Sequence, residues 1–379
     1  MGPLAGIRVL EFEAIGPGPF AGMLLADMGA DVLVVDRPAS TDLGLKRERW
    51  YDVMMRGKRS VMLDLKKNKT AALDLIGRAD ALIEGFRPGV MQRLGLGPDA
   101  ALARNPRLVY GRMTGWGQDG PLAARAGHDI NYIALAGVLH AFGRRGGAPV
   151  PPLNLVGDFG GGGMLLGFGI ACALLEASRS GKGQVVDAAM TEGASLLAAM
   201  FHGFIHSDQW IEERGSNILD TGAPWYDVYE TKDGKYVSIG AIEARFFEEF
   251  VARLGLKDLP AQHDRARWRE MRSILEKTFK TKTREEWCRV FEGSDACFAP
   301  VLSFSEARGH AHNRARASFV EVAGVPQPAP APRFSRTPGA VRGAPPERGA
   351  GGLAALRDWG FSADEVDRLR SGGLLFKEQ

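Results

Sequence analysis

At roughly 150 residues per domain, a chain of 379 residues predicts two or three domains, each able to bury a core without disulfide staples. Lys plus Arg number 48 against 45 Asp plus Glu, a net of +3, which argues against a general polyanion binder. Hydrophobic residues at 45% and charged residues at 25% exclude wholesale disorder and a fibrous chain.

In chain order, Ile7–Phe12 reads as a strand, Phe20–Met28 as an amphipathic helix and Val32–Asp36 as a second strand, one βαβ unit. Strands at Val61–Leu65, Ala81–Phe86 and Leu108–Met113 alternate with helices at Thr70–Ala79 and Pro98–Ala103. That rhythm predicts an α/β fold with a Rossmann-like parallel sheet. A long helix from about Gly160 to Ser178 and a strand at Gln184–Ala188 complete a large domain over 1–188. Residues 189–226 lose the rhythm and are expected to be helix plus crossover linker. Val228–Thr231 and Tyr236–Ile239, separated by Lys232-Asp233-Gly234-Lys235, predict a type I′ hairpin. With helices at Glu243–Leu254 and Trp268–Phe279 it opens a smaller α+β domain over 227–316. Seven prolines within 326–346 predict an extended return linker over 317–346. Ser362 caps a short terminal helix in the last segment, 347–379, which is expected to rejoin the large domain.

Cys172, Cys288 and Cys297 form no CxxC and have no matching His spacing, which disfavours a disulfide scaffold and a zinc site. A reducing cytoplasm suits them, and the residues after Met1 lack the basic and apolar runs of a leader. Gly16-Pro17-Gly18-Pro19-Phe20-Ala21-Gly22, with Asp36 ending the next strand, mimics a dinucleotide fingerprint and raises an NAD-dependent dehydrogenase as one reading. Against it, the spacing is GxGxxxG, and Pro17 and Pro19 remove N–H donors where a phosphate would need them. Asp158, before four consecutive glycines Gly160–Gly163, is either a helix cap or a carboxylate beside a glycine clearing for substrate. In Gly127-His128-Asp129-Ile130-Asn131-Tyr132 a histidine usable near neutral pH precedes Asp129, which could start a helix whose free N–H groups stabilise an anion. His202 and His206 share a helix face without a third ligand, and His140, His263, His310 and His312 lack partners. The basic cluster Lys46, Arg47, Arg49, Arg56, Lys58 and Arg59 is a solvated face or a phosphate contact.

The opening Pro3–Phe12, Leu25–Val32, Asp64-Leu65-Lys66, Glu84–Val90, Arg93-Leu94-Gly95 and Gly115–Pro121 together resemble the class III CoA-transferase (CaiB/BaiF-type) family over nearly the whole chain. Gly127–Tyr132 with Pro151–Gly162 looks like that family's α-methylacyl-CoA racemase branch. The resemblance implies an interlocked homodimer and a racemase of 2-methyl-branched acyl-CoA thioesters, with Asp158 on one face of the α-carbon. On the other face it implies His128 paired with Glu243. The family's transferases use the residue matching Asp158 as a nucleophile, and that activity is the alternative. The N–H of Asp129 would meet the enolate oxygen. Arg37, Leu63, Asp64, Leu65, Lys66, Gly85, Phe86, Arg87 and Arg93 would line the nucleotide and pantetheine path. Gly127, Ile130, Asn131 and Tyr132 would cover the thioester end. The resemblance implies no metal and no cofactor beyond the substrate's own CoA, and no nucleic-acid or integral membrane partner.

Overall fold

The computed structural model describes residues 2–39 and 48–377. The chain divides into two compact units, one of Met1–Ala136, Leu153–Ala198 and Ala317–Gln379, the other of Gly137–Pro152 and Ala199–Arg316.

The first unit begins with β1 (Arg8–Phe12), α1 (Pro17–Asp27), β2 (Asp31–Asp36), β3 (Arg59–Met62), α2 (Lys69–Ile76) and β4 (Ala81–Glu84). Then come α3 (Val90–Arg93), α4 (Pro98–Arg104), β5 (Val109–Thr114) and α5 (Asp129–Leu135). After α6 (Val138–Ala141), which belongs to the second unit, the chain returns through a π-helical stretch Leu155–Met164 into α7 (Leu165–Ser180), β6 (Gln184–Ala189) and α8 (Met190–Leu197). The six strands form one parallel sheet in the order β3-β2-β1-β4-β5-β6. Near-continuous apolar runs such as Asp-Val-Leu-Val-Val-Asp in β2 are buried on both faces, as a parallel sheet covered by helices requires. In register, Leu10 of β1 lies between Leu33 and Leu82. Crossing from β1 to β2 in one direction and to β4 in the other makes the C-terminal ends of β1 and β4 a topological switch point, the usual ligand crevice of such sheets.

Several expectations shift. The strand expected at Val61–Leu65 runs Arg59–Met62, because Asp64 turns the chain: its side chain accepts the Lys66 N–H and its carbonyl the Asn68 N–H. The helix expected from Gly160 starts as a π-helix at Leu155 and becomes α-helical at Leu165. Leu155–Ser180 together is apolar enough, by length and composition, to cross a membrane. In this fold Leu166, Ile170 and Ala173 spend that apolarity on the sheet's core. Met190–Ala198, expected in a linker, stays with the first unit because Gly193 and Ala194 pack flat on Gly161. The opposite holds for 137–152, expected in the large domain. Arg144 pairs with Asp227, and Arg214 donates to the carbonyls of His140 and Gly147, so this segment belongs to the second unit.

In the second unit α9 (Ala199–His206) leads to β7 (Tyr226–Glu230), β8 (Tyr236–Gly240), α10 (Ala244–Leu254), α11 (Trp268–Phe279), α12 (Arg284–Phe291) and β9 (Phe298–Pro300). Short α13 (Phe304–Gly309) and α14 (Ala311–Ala315) close it. The antiparallel β7-β8-β9 sheet and α10–α12 enclose Trp225, Phe250, Phe279 and Trp287. The β7–β8 hairpin forms as expected, but its turn is not type I′. Only Gly234 has positive φ, and the Gly234 N–H bonds to the Thr231 carbonyl while the Thr231 N–H bonds to Lys235, a three-residue loop with a glycine bulge.

The expected return linker contains an antiparallel hairpin, β10 (Phe319–Val322) and β11 (Val325–Pro328), turning at Ala323 and Gly324, both with positive φ. Beyond it α15 (Gly352–Asp358) and α16 (Ala363–Ser371) return to the sheet. Ser362 caps α16 in a reciprocal box with Glu365, and Trp359 joins the core cluster that contains Leu33 and Val61, its indole N–H donating to Asp31.

Candidate active site

A cavity of about 670 Å3 opens at the switch point of the first unit. Its wall comes from the segments after β1 (Ile15, Gly16, Pro17), after β4 (Gly85 to Pro88) and at the end of β5 (Met113 to Trp116). Ala123 to His128, Tyr132, Asn154, Asp158, Phe159, Met54 and Met190 complete it.

His128 is the residue before α5, in extended backbone, and Asp129 is the first helical residue. Asn131 folds its side chain back to accept the His128 N–H at 3.1 Å. Tyr132, one turn on, donates its hydroxyl to the Gly127 carbonyl and meets Trp116 edge-on at 4.7 Å. Gly115 and Gly127 make this possible, since a Cβ on either would lie 2.1 Å or 2.7 Å from the tyrosine ring. Burial, with the Asp158 charge nearby, pushes the Tyr132 hydroxyl up to about 12, so it stays a donor near neutrality. The imidazole-bearing residue is thus held from both sides and left exposed to the cavity.

Asp158 is not a cap; Asn154 is, and Asp158 sits in the first turn of the π-helix. Asn154, which the sequence reading did not single out, donates to the Asp158 Oδ2 at 3.0 Å from four residues earlier. The Asp158 N–H donates to the Asp129 carboxylate at 2.6 Å. Desolvation raises the proton affinity of Asp158, opposed by the Asn154 hydrogen bond; Asp129 raises it further and His128 lowers it. Gly16, with φ of 64°, faces this carboxylate: a Cβ there would lie 3.1 Å from Oδ2. The expected glycine clearing is not formed by Gly161–Gly163. Gly161 lies against Gly193 and Ala194, Gly162 against Met190 and Pro17, and Gly163 against Phe20, all backbone or close side-chain approaches. Their role is to seat the π-helix between α1 and α8, because any side chain would hold the backbones apart. The glycine beside the carboxylate is Gly16, from the other end of the sequence motif.

Gly85, Phe86, Arg87, Gly127, His128, Tyr132 and Asp158 are brought together on this cavity. Phe86 is oriented from below: its N–H donates to Glu84 at 2.8 Å, and Glu84 is buried against Arg112 at 3.1 Å. Arg37 lies 5.8 Å over the Phe86 ring, and its N–H donates to Glu13. Leu63 is a correction: at 1% exposure its side chain belongs to the core and offers a ligand only backbone. Leu65 also packs on that core, and the Asp64 carboxylate is used in its own turn. Lys66 and Arg93 are exposed outside the cavity wall, as are Ile130 and Asn131 on the outer side of α5. Glu243 caps α10 in the second unit, its carbonyl accepting the Phe246 and Phe247 N–H groups.

The dinucleotide reading loses its acid. Asp36 is fully buried, accepting from Ser60 at 2.5 Å and from Arg49. Nor do the described members of the basic cluster form a solvated or phosphate-facing surface. Arg56 is buried on Asp27, Lys58 on Glu11 and the Pro19 carbonyl, and Arg59 pairs with Asp31. Carboxylates of β1, α1 and β2 claim these cations; Lys46 and Arg47 lie outside the described residues. Gly22 serves the same network, since a Cβ there would lie 1.8 Å from the Glu11 carboxylate. Of the remaining histidines, His140 bonds the Glu212 carbonyl, His263 stands edge-on to Trp225, and His310 and His312 are exposed. His202 and His206 lie on α9, and among the described residues no group of three His, Cys, Asp or Glu could hold a metal.

Sequence and structure comparisons find close relatives. Residues 4–351 match the model for CoA-transferase family III. Mouse α-methylacyl-CoA racemase is 47% identical, covering 97% of this chain and 96% of its own; the human protein is 44% identical, covering 98% and 97%. The crystal structure of a CaiB/BaiF family protein from Brucella suis superposes with a TM-score of 0.82 at 25% identity, over 94% of this chain and 99% of that one.

Proposed function

We propose, starting from the fact that the chain belongs to CoA-transferase family III, that it racemises 2-methyl-branched acyl-CoA thioesters. The observation that carries the reading is the convergence of His128 and Asp158 on one cavity at the switch point. The C2 proton beside a thioester carbonyl is very weakly acidic, so its removal needs both a positioned base and a donor for the developing enolate oxygen. Inverting the centre needs a base on one face and an acid on the other, with roles exchanged for the opposite enantiomer. In our reading Asp158 serves one face and His128 the other, the roles that the family resemblance implies for them. The Asp129 N–H, free at the start of α5, meets the enolate oxygen. A 1,1-proton transfer passes the C–H electron pair into the enolate and back with no net change of oxidation state, so the step needs no electron donor or acceptor. Arg87 on the cavity wall, with Arg37 over the neighbouring Phe86 ring and with Lys66 and Arg93, supplies cations for the CoA phosphates.

A homodimer belongs to the reading. Supporting it, the first unit leaves Leu135, Leu153, Phe168 and Leu196 more than 60% exposed, the kind of apolar surface a second copy covers. The free cysteines Cys172, Cys288 and Cys297 support a cytoplasmic location. The test is incubation of one 2-methylacyl-CoA enantiomer in heavy water: the expected result is racemised product carrying deuterium at C2, with no acceptor acid required. Absent C2 exchange, together with transfer of CoA to an added free acid and release of the original acyl group as its acid through Asp158, would replace the reading with the transferase one.

A further inference from the structure

The Asp129 carboxylate has no place in the mechanism above, which uses only its backbone N–H, yet it is the most constrained acidic group at the site. Its residue is 6% exposed. Oδ1 accepts the Asp158 N–H at 2.6 Å, and the neighbouring Gly157 N–H also favours the carboxylate's charge. Oδ2 is buried with no hydrogen-bond partner. Gly157 is shaped to this contact, since a Cβ there would lie 2.5 Å from Oδ1. No Lys or Arg pairs with Asp129 among the described residues, although buried carboxylates elsewhere in this unit, on Glu11, Asp27, Asp36 and Glu84, all have cations.

We propose, on the basis that Asp158 is a proton carrier as argued above, that the Asp129 side chain is a positioning residue. It clamps the Gly157–Asp158 backbone and keeps an unneutralised negative charge beside the Asp158 carboxyl. Both effects act through Asp158. The clamp ties the first turn of the π-helix to the start of α5, so the two proton carriers, His128 and Asp158, share one rigid connection. The charge makes ionised Asp158 less comfortable and hence a stronger base, since like charges in a low-dielectric site favour the protonated form. The other groups facing Asp158 are Asn154 on its own helix, His128 and Tyr132 from α5, and Gly16, which adds no charge; of these Asn154 and His128 favour ionisation. Burial raises the proton affinity of Asp129 itself, only partly opposed by the Asp158 and Gly157 N–H groups.

The test compares wild type with Asp129→Asn, whose amide oxygen still accepts the Asp158 N–H while the charge is gone. In one direction of racemisation Asp158 must be ionised and in the other protonated. Both pH limbs belonging to Asp158, followed by C2 deuterium exchange from each enantiomer, are expected to move to lower pH by about one unit, with KM within about twofold because the side chain lies off the cavity wall. A folded Asp129→Asn enzyme with unmoved limbs, or with KM raised and kcat unchanged, overturns the proposal. Gly157→Ala probes the clamp separately by pushing Oδ1 away with both carboxyls present, and is expected to lower kcat about tenfold or more at unchanged KM; wild-type kcat overturns the clamp. Asp158→Asn separates the two levels: abolished exchange there with unmoved Asp129→Asn limbs overturns this inference alone, whereas wild-type exchange in Asp158→Asn overturns both.

Discussion

The packing of the π-helix against α8 can be broken by a single methyl group, and the structure supplies the size of the effect. A Cβ at Gly193 would stand 1.9 Å from the Gly161 carbonyl oxygen and 2.5 Å from its carbon. Real Cβ atoms essentially never approach closer than 3.0 Å, so Gly193→Ala must push the facing backbones about 1 Å apart. Neither side is a flexible chain end that could swing away. Overpacking of a filled interior costs roughly 1–3 kcal/mol, and two rigid backbones place this variant near about 3 kcal/mol. The π-helix carries Asp158, and a 1 Å misplacement of a reacting group costs on the order of 100-fold in rate. Urea unfolding and C2 exchange are therefore expected to report both losses together. Gly203→Ala is the control: it is the same change in a helix, at a site where a new Cβ meets nothing within 4 Å. There the variant is expected to gain about 0.5–1 kcal/mol, because alanine loses less backbone entropy on folding. A Gly193→Ala protein as stable and as active as Gly203→Ala would refute the account of these glycines as packing positions.

Asn154→Ala removes the hydrogen bond to ionised Asp158 and is expected to act opposite to Asp129→Asn, moving the Asp158 limbs of the exchange profile upward. Asn154 is exposed, which holds the shift to about half a pH unit, or roughly 0.7 kcal/mol; a downward shift would contradict the assigned role. Lys58→Met leaves Glu11 buried without its cation and is expected to destabilise the first unit by about 3–5 kcal/mol in urea titrations at neutral pH. Burial already raises the Glu11 proton affinity, and in the variant it rises further. The folded state then binds a proton that the unfolded chain releases, so stability lost relative to wild type should be recovered as pH falls toward the ordinary carboxylate range. A deficit that stays constant or grows over that interval would show that the lost contact is not electrostatic.

Strand alternation made the sheet legible because its signal is local. Val-Leu-Val-Val between acidic ends, and Asp-Gly between β-rich runs, are decided within a few residues. What was not legible depended on partners distant in sequence. Nothing within 137–152 announces that Arg144 will find Asp227, or that Arg214 will hold the carbonyls of His140 and Gly147. The same limit hid the β10–β11 hairpin, whose turn uses Ala323 at positive φ, a position that composition assigns to no turn type. Likewise Arg56 and Lys58 read as surface because cations usually are, and only the fold shows Asp27 and Glu11 waiting beneath them.

The two glycine motifs exchanged roles for a physical reason that residue type alone cannot express. Glycine lets any two things approach, and sequence does not say which two. Gly161 and Gly193 admit one backbone to another, Gly22 admits an ion pair, Gly115 and Gly127 admit a tyrosine ring, and Gly16 stands free over the Asp158 carboxylate. Of these only Gly16 borders both the cavity and a carboxylate. It sits where a dinucleotide-binding sheet would present N–H donors to a phosphate, but Pro17 and Pro19 have removed two of them. A helix start that does not bind anions leaves a neighbouring carboxylate less stabilised as an anion, which suits a group that must take up a proton in each cycle. The prolines that weakened the nucleotide reading of the sequence are thus consistent with the proton-transfer one.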